Sequence, residues 1–120
     1  MDVVGVASLR VTVAGRLTGI PRTTTLSCTP YRGGFLVVGS NWGRPQHPAW
    51  SANLLAVSEV SVDHNGRASA ATVRALTGAD REHAWSAILR EWPNYRIAQE
   101  IAYPRVFRIF ELTPVASVAS

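Results

Sequence analysis

The dipeptide Asn65-Gly66 places the first constraint on this chain. Val60 and Val62 alternate with polar residues over Glu59–Asp63 before it, and the run Arg67–Leu76 follows it. Asn-Gly accepts the left-handed backbone of a type I′ turn, whose twist matches that of a tight antiparallel hairpin. Two more hairpin connections are written into the first third of the chain. Leu9, Val11 and Val13 alternate with Arg10 and Thr12 as a half-buried strand that ends at Gly15-Arg16-Leu17-Thr18-Gly19-Ile20-Pro21. The β-branched, polar stretch Arg22–Thr29 is expected to return beside it. Pro30-Tyr31-Arg32-Gly33-Gly34 then turns the chain into a third strand, Phe35–Ser40.

Helical spacing appears in three places. Trp50, Leu54 and Leu55 recur through a short helix at Ala49–Ala56. Thr77, with Asp80 three residues on, reads as a capping box. Beyond it Ala84, Trp85, Ile88, Leu89 and Trp92 share one face of a helix that Pro93 stops. Tyr95–Ala102 is a weaker helical stretch, and Val106, Ile109, Phe110 and Leu112 form a last strand before Pro114. Hairpins rather than alternating βαβ units predict a mainly β, α+β fold: an antiparallel sheet curled into a small barrel, helices outside. With 120 residues the chain is expected to form one domain over 1–120, its Ala/Ser/Val-rich end (114–120) a flexible tail.

The positive side chains are twelve arginines and no lysine against eight carboxylates, a net charge of +4. A basic surface suits nucleic acid, an anionic membrane face or an acidic ligand. The arginines are scattered rather than clustered, which argues against a nucleic-acid stripe. Cys28 is alone, so neither an internal disulfide nor a thiolate metal cluster is expected, and no metal site is predicted. With no leader-like segment and no apolar run near the roughly 20 residues of a spanning helix, the expected compartment is the cytoplasm, with peripheral membrane contact left open.

The chemistry concentrates in Ser40-Asn41-Trp42-Gly43-Arg44-Pro45-Gln46-His47-Pro48-Ala49-Trp50-Ser51-Ala52-Asn53. A mere connector needs no tryptophan, and loops on a rigid scaffold are where binding groups gather. The passage from strand end to helix start favours an anionic or carbonyl-bearing ligand. Trp50 serves equally as core or as ligand wall. The glycine turn at 15–21, flanked by Arg16 and Arg22, is either an anion cradle or an ordinary hairpin turn with solvated arginines. Thr23, Thr24 and Thr25 alternate in direction, so at most two share a face. His47 has no carboxylate near it in sequence and no second histidine at ligand spacing. Trp92, Tyr95 and Tyr103 surround a helix break, where a phenol could orient or protonate a substrate. No Ser-His-Asp set, carboxylate pair or zinc pattern emerges.

Taken together, Gly15-Arg16-x-Thr18-Gly19-x-Pro21-Arg22, Ser40-Asn41-x-Gly43, His47-Pro48-Ala49-Trp50 with Asn53-Leu54, and Trp92-Pro93-x-Tyr95 resemble the deazaflavin-dependent nitroreductase family of actinobacteria, from about Ser8 to Pro114. The resemblance implies a split β-barrel that binds coenzyme F420, a deazaflavin with a phosphate and an oligoglutamate tail. It further implies hydride transfer from the reduced cofactor to a quinone, nitro compound or other activated acceptor. By position, Arg16, Leu17, Thr18, Arg22, Thr23, Thr24, Thr25, Leu26 and Ser27 would contact the phosphate side and ring edge. Val38, Gly39, Ser40, Asn41, Ala49, Trp50, Ser51, Ala52 and Asn53 would supply the remaining ring and ribityl contacts. Ser40 and Tyr95 would orient the acceptor, with Tyr95 or water giving the proton. A cofactor that carries the electronics itself explains the lack of a catalytic triad. Leu17 stands where many members are basic, and Ala98 where some carry a second pocket tyrosine. The chain opens close to its first strand, which implies an open pocket or one covered by a partner subunit. An FMN user on the same barrel and a non-catalytic cofactor- or quinone-binding barrel are the rival readings. Monomer and homodimer are both compatible with the sequence.

Overall fold

Hairpins generate the sheet in the computed structural model, which describes residues 8–115. The strands are β1 (Ser8–Ala14), β2 (Pro21–Ser27), β3 (Thr29–Tyr31), β4 (Gly34–Val38), β5 (Glu59–His64), β6 (Arg67–Ala75) and β7 (Ile109–Pro114). The helices are α1 (Ala49–Leu55), α2 (Gly78–Glu91) and α3 (Tyr95–Ala102), with a single 3-10 turn at Asn41–Gly43. The sheet order is β2-β1-β5-β6-β7-β4-β3 and every pairing is antiparallel.

That order bends the sheet. β2 and β3 are its two edges, yet only Cys28 separates them in the chain. A one-residue link between opposite edges requires the sheet to curl until its ends nearly meet. The ladder does not close across β2 and β3, and the result is a split half-barrel.

Register follows the alternation seen in the sequence. Val11 pairs with Val62 of β5 and with Thr24 of β2, and Leu9 with Leu26, which sends these side chains to one face. Leu9, Val11, Leu26 and Val62 form the barrel core with Val37, Leu54, Ala71, Phe110 and Leu112. Leu36, Val38 and Ile109 point the other way, onto Ala84, Ala87 and Ile88 of α2 and onto Phe107. Strands β4 and β7 are therefore buried on both faces, and Phe110 and Leu112 are fully buried. Each such side chain contributes about 1.5–3 kcal/mol by leaving water.

Several boundaries differ from expectation. The strand predicted over Arg22–Thr29 is two: β2 stops at Ser27, and Thr29–Tyr31 belongs to the opposite edge. Pro30 is tolerated there because an edge strand does not need its missing N–H. The turn expected over 30–34 shrinks to Arg32-Gly33, both with positive φ (51° and 79°). The last strand begins at Ile109, not at Val106, which is 55% exposed. Leu55 is likewise 49% exposed, so the apolar stripe of α1 rests on Leu54 and Trp50. Thr77 sits at the N-cap of α2 without a side-chain cap bond, and Asp80 bonds Arg74 (3.0 Å), so no capping box closes. Pro114 ends β7 and the Val115 N–H donates to the Ala70 carbonyl (2.8 Å); the rest of the expected tail lies outside the described residues.

Candidate active site

Beside the open edge of β2 lies a cleft of about 620 Å³. One wall is β2, through Thr24, Thr25, Leu26 and Ser27. Another is the end of β4 and the loop after it, through Val38, Ser40, Asn41, Trp42, Pro48 and Trp50. The third is the α2–α3 junction, where Trp92, Tyr95 and Ala98 face the space. Because β2 is an edge, its outward backbone N–H and C=O groups lie along this cleft without a neighbouring strand.

The loop between β4 and α1 takes an unusual path. Asn41 (φ 47°), Trp42 (φ 57°) and Gly43 (φ 75°) are left-handed in succession, which only Gly43 adopts freely. The Asn41 amide secures the bend by donating to the Gln46 carbonyl (2.9 Å). Trp42 is thereby held at the rim, 85% exposed, while Trp50 lines the cleft and packs on Phe110 (ring centroids 6.1 Å apart). Trp50 thus belongs to the cleft wall and to the core packing at once.

Of the residues expected to bind a cofactor, the cleft gathers Thr24, Thr25, Leu26, Ser27, Val38, Ser40, Asn41 and Trp50, with Tyr95 opposite. Arg16, Leu17, Thr18, Arg22 and Thr23 lie outside its lining. Arg22 shares the face of β2 that carries Thr24 and Leu26, since it pairs with Val13 as they pair with Val11 and Leu9, and it extends that face into solvent. Thr23 turns the other way and bonds Thr12 through their hydroxyls (2.7 Å). Leu17 is 85% exposed at the turn tip, and the Thr18 hydroxyl accepts the Ile20 N–H (3.1 Å).

Ser51 and Asn53 serve the scaffold. Ser51 is fully buried, donates to the Pro48 carbonyl (2.8 Å) and accepts from the Arg108 guanidinium (3.0 Å). The Asn53 side-chain oxygen accepts both the backbone N–H and the guanidinium of Arg16, each at 3.1 Å. This ties the arginine turn to the helix that follows the tryptophan loop. Buried Gly39 packs on Pro48 and Ser51, whereas Ala49 and Ala52 stay off the cleft wall. Pro48 and Pro93, both in the sequence motifs, also line the cleft; Glu91 and Asn94 line it too, and no local signal marked them because their placement depends on how α2 and α3 dock.

The cleft lining carries the polar side chains Thr24, Thr25, Ser27, Ser40, Asn41, Glu91, Asn94 and Tyr95. Burial raises the Tyr95 phenol above its ordinary value, the nearby Ser27 hydroxyl partly opposing this and the Cys28 thiol adding to it. Tyr95 therefore stays protonated across the physiological range. Burial, with a smaller contribution from Glu91, pushes the Cys28 thiol up to about 11, so it behaves as a small apolar filler. The indole Nε1 of Trp92 is buried and finds no acceptor among the described residues. Also among them, no group of three or more His, Cys, Asp or Glu side chains is arranged to hold a metal ion.

The fold and sequence both have relatives. An F420-H2 dependent reductase, FDR-A, superposes with a TM-score of 0.80 at 29% identity, covering 88% of this chain and 93% of that one. A structure described as a domain-swapped dimer matches equally well (TM-score 0.80, 29% identity, 88% of this chain and 79% of that one). HutZ, a heme storage protein from Vibrio cholerae, shares the fold alone, with a TM-score of 0.65 at 14% identity over 92% of this chain and 83% of its own. No curated protein matches the sequence. The family model for F420H2-dependent quinone reductases matches residues 2–106, and nothing in that match favours FMN. Sequence, split half-barrel and family match agree: this chain belongs to the F420H2-dependent quinone reductase family.

Proposed function

We propose that this protein is an F420H2-dependent oxidoreductase that reduces a small activated acceptor, a quinone or nitro compound, in the cleft beside β2. The observation that carries the reading is the convergence there of an unpaired sheet edge, a tryptophan-bearing loop and Tyr95.

The residues present fit the cofactor in kind. Leu26, Val38 and Trp50 offer an apolar wall to a planar ring, and Ser40 and Asn41 offer hydrogen bonds to its edge. The buried, unpaired indole N–H of Trp92, at the α2–α3 wall, is a donor that an oxygen-bearing ligand would satisfy. Arg16 and Arg22, on the solvent side of β2 and its turn, suit a phosphate and carboxylate tail. When bound in its reduced state, F420 supplies the hydride from C5 of its ring.

The chain then has a limited task. Its apolar wall keeps water from the reacting face. Ser40 and Tyr95 orient the acceptor, and Tyr95, neutral because its phenol is raised, holds a proton at Oη for the acceptor's oxygen. Ala98 on the cleft wall leaves room where a second aromatic side chain would stand, which favours a flat quinone over a substrate that needs that ring. The dimeric relative makes a homodimer the expected assembly. No described helix is long and apolar enough to cross a membrane, and a quinone acceptor is compatible with peripheral contact.

Titrating the protein with F420 and following cofactor fluorescence tests the reading. Saturable binding at micromolar concentration, with turnover of menadione-like quinones, is expected. Absence of saturation removes the proposal, and tight binding without turnover over a panel of quinones and nitro compounds would favour a carrier instead.

A further inference from the structure

We infer that Arg105 is a positioning residue of this site, holding the Gly39–Arg44 bend in the shape that presents Ser40, Asn41 and Trp42 to the cleft. The consequence for cofactor binding rests on the function proposed above; the hold on the bend does not.

Arg105 lies between α3 and β7, behind the bend, and is not part of the cleft lining. Its guanidinium spans both ends of the bend. Nη1 donates to the Gly39 carbonyl (3.0 Å), Nη2 to the Ser40 carbonyl (2.6 Å) and Nε to the Arg44 carbonyl (2.9 Å). The same group stacks on Phe107, 5.0 Å from the ring centroid, so the fork is anchored on a buried aromatic. Among the described residues no carboxylate pairs with it. The cation is spent on three backbone oxygens of one loop.

Such an arrangement answers a specific difficulty. Left-handed Asn41 and Trp42 each cost free energy, and a bend of that kind persists only when its surroundings over-determine it. The bend's own bonds are short-range, from the Gly43 N–H to the Ser40 carbonyl (3.0 Å) and from the Arg44 N–H to the Asn41 carbonyl (3.0 Å). Two further contacts tie single points of the bend to the barrel: the Gly39 N–H donates to the Arg108 carbonyl (2.9 Å), and Gly43 lies against Ala98 and Ile101 of α3. Arg105 ties the two ends of the bend to each other and to Phe107, because a planar guanidinium offers donors in several fixed directions, which a lysine ammonium cannot reproduce. His47 Nδ1 lies 3.4 Å from Nη1, and an unprotonated ring nitrogen there accepts from the same fork.

The test compares Arg105→Lys and Arg105→Met with wild type by amide hydrogen exchange, without ligand, and by F420 titration. The Gly43 and Arg44 amides are expected to exchange about tenfold faster or more, while Val37 and Phe110 in the β4–β7 ladder change less than about twofold. The F420 dissociation constant is expected to rise about tenfold. Arg105→Lys keeps the charge and serves should Arg105→Met fail to fold. Unchanged exchange at Gly43 and Arg44 would overturn the inference, as would equal acceleration in the β4–β7 ladder, which would reduce Arg105 to a general stabiliser. Faster exchange in the bend with an unaltered F420 constant would overturn the positioning role. Should wild type not bind F420 at all, the proposed function fails, while the exchange arm still decides whether Arg105 holds the bend.

Discussion

Replacing Asn53 with alanine isolates the contact that joins the arginine turn to the tryptophan loop. Asn53 is 7% exposed, and its side-chain oxygen accepts two bonds from Arg16. The backbone bond is neutral and contributes about 0.5–1.5 kcal/mol net. The guanidinium bond is charge-assisted, but Arg16 is exposed and water replaces part of the loss, which leaves about 0.5–1 kcal/mol. Asn53→Ala should therefore destabilise by about 2 kcal/mol. For a chain of this size that lowers Tm by about 8 °C. Thermal unfolding followed by circular dichroism reads the shift, and exchange of the Arg16 amide reads its location. Asn53→Asp keeps the acceptor and should lose less. With Arg16 assigned to the cofactor tail as proposed, a freed turn should lower F420 affinity more than it raises acceptor KM. A Tm within about 2 °C of wild type together with an unprotected Arg16 amide in both proteins would refute the reasoning. The turn would then be held by something other than this amide.

Gly34→Ala should destabilise by about 1–3 kcal/mol in urea unfolding, because a Cβ there would stand 2.4 Å from the Leu112 carbonyl oxygen and β4 would have to leave β7; an unchanged midpoint would mean the strands slide apart freely. Arg22→Ala should weaken F420 binding about tenfold with Tm unaltered, and equal affinity by fluorescence titration would take Arg22 out of the tail site. Tyr95→Phe should lower turnover about tenfold with little change in F420 affinity; the reverse pattern would assign Tyr95 to the cofactor instead. His47 is held below its ordinary 6.5, by burial first and then by Arg108 and Arg105, so the unfolded chain takes up its proton before the folded one does. Stability from this group is complete above about pH 6.5 and is lost as pH falls through the folded value. Urea midpoints of wild type and His47→Asn should converge as the pH drops through that window, and parallel curves would show that His47 titrates alike in both states.

The family resemblance and the strand alternation were legible in short stretches of chain. Asn65-Gly66, the glycine turn at 15–19 and the alternating valines each depend on neighbours in sequence, and the structure keeps all three. The division of Arg22–Thr29 was not legible, because a strand that continues and one that crosses to the opposite edge have the same local composition. Only closure of the curled sheet decides which occurs at Cys28. No capping box formed at Thr77 and Asp80: Thr77 makes no side-chain cap bond, and Asp80 pairs with Arg74, six residues earlier on another element.

Sequence alone determined that this chain is a hairpin-built, mainly β protein of the F420H2-dependent quinone reductase family, because turn chemistry, side-chain alternation and motif spacing are local properties. Tertiary structure decided which members of those motifs meet at the cleft and which support it. Ser40 and Ser51 look alike in sequence, yet one lines the cleft while the other is buried between Pro48 and Arg108. The hold of Arg105 on the bend spans more than sixty positions of chain. Contacts of that range form only once the sheet has curled, so no stretch of sequence contains them.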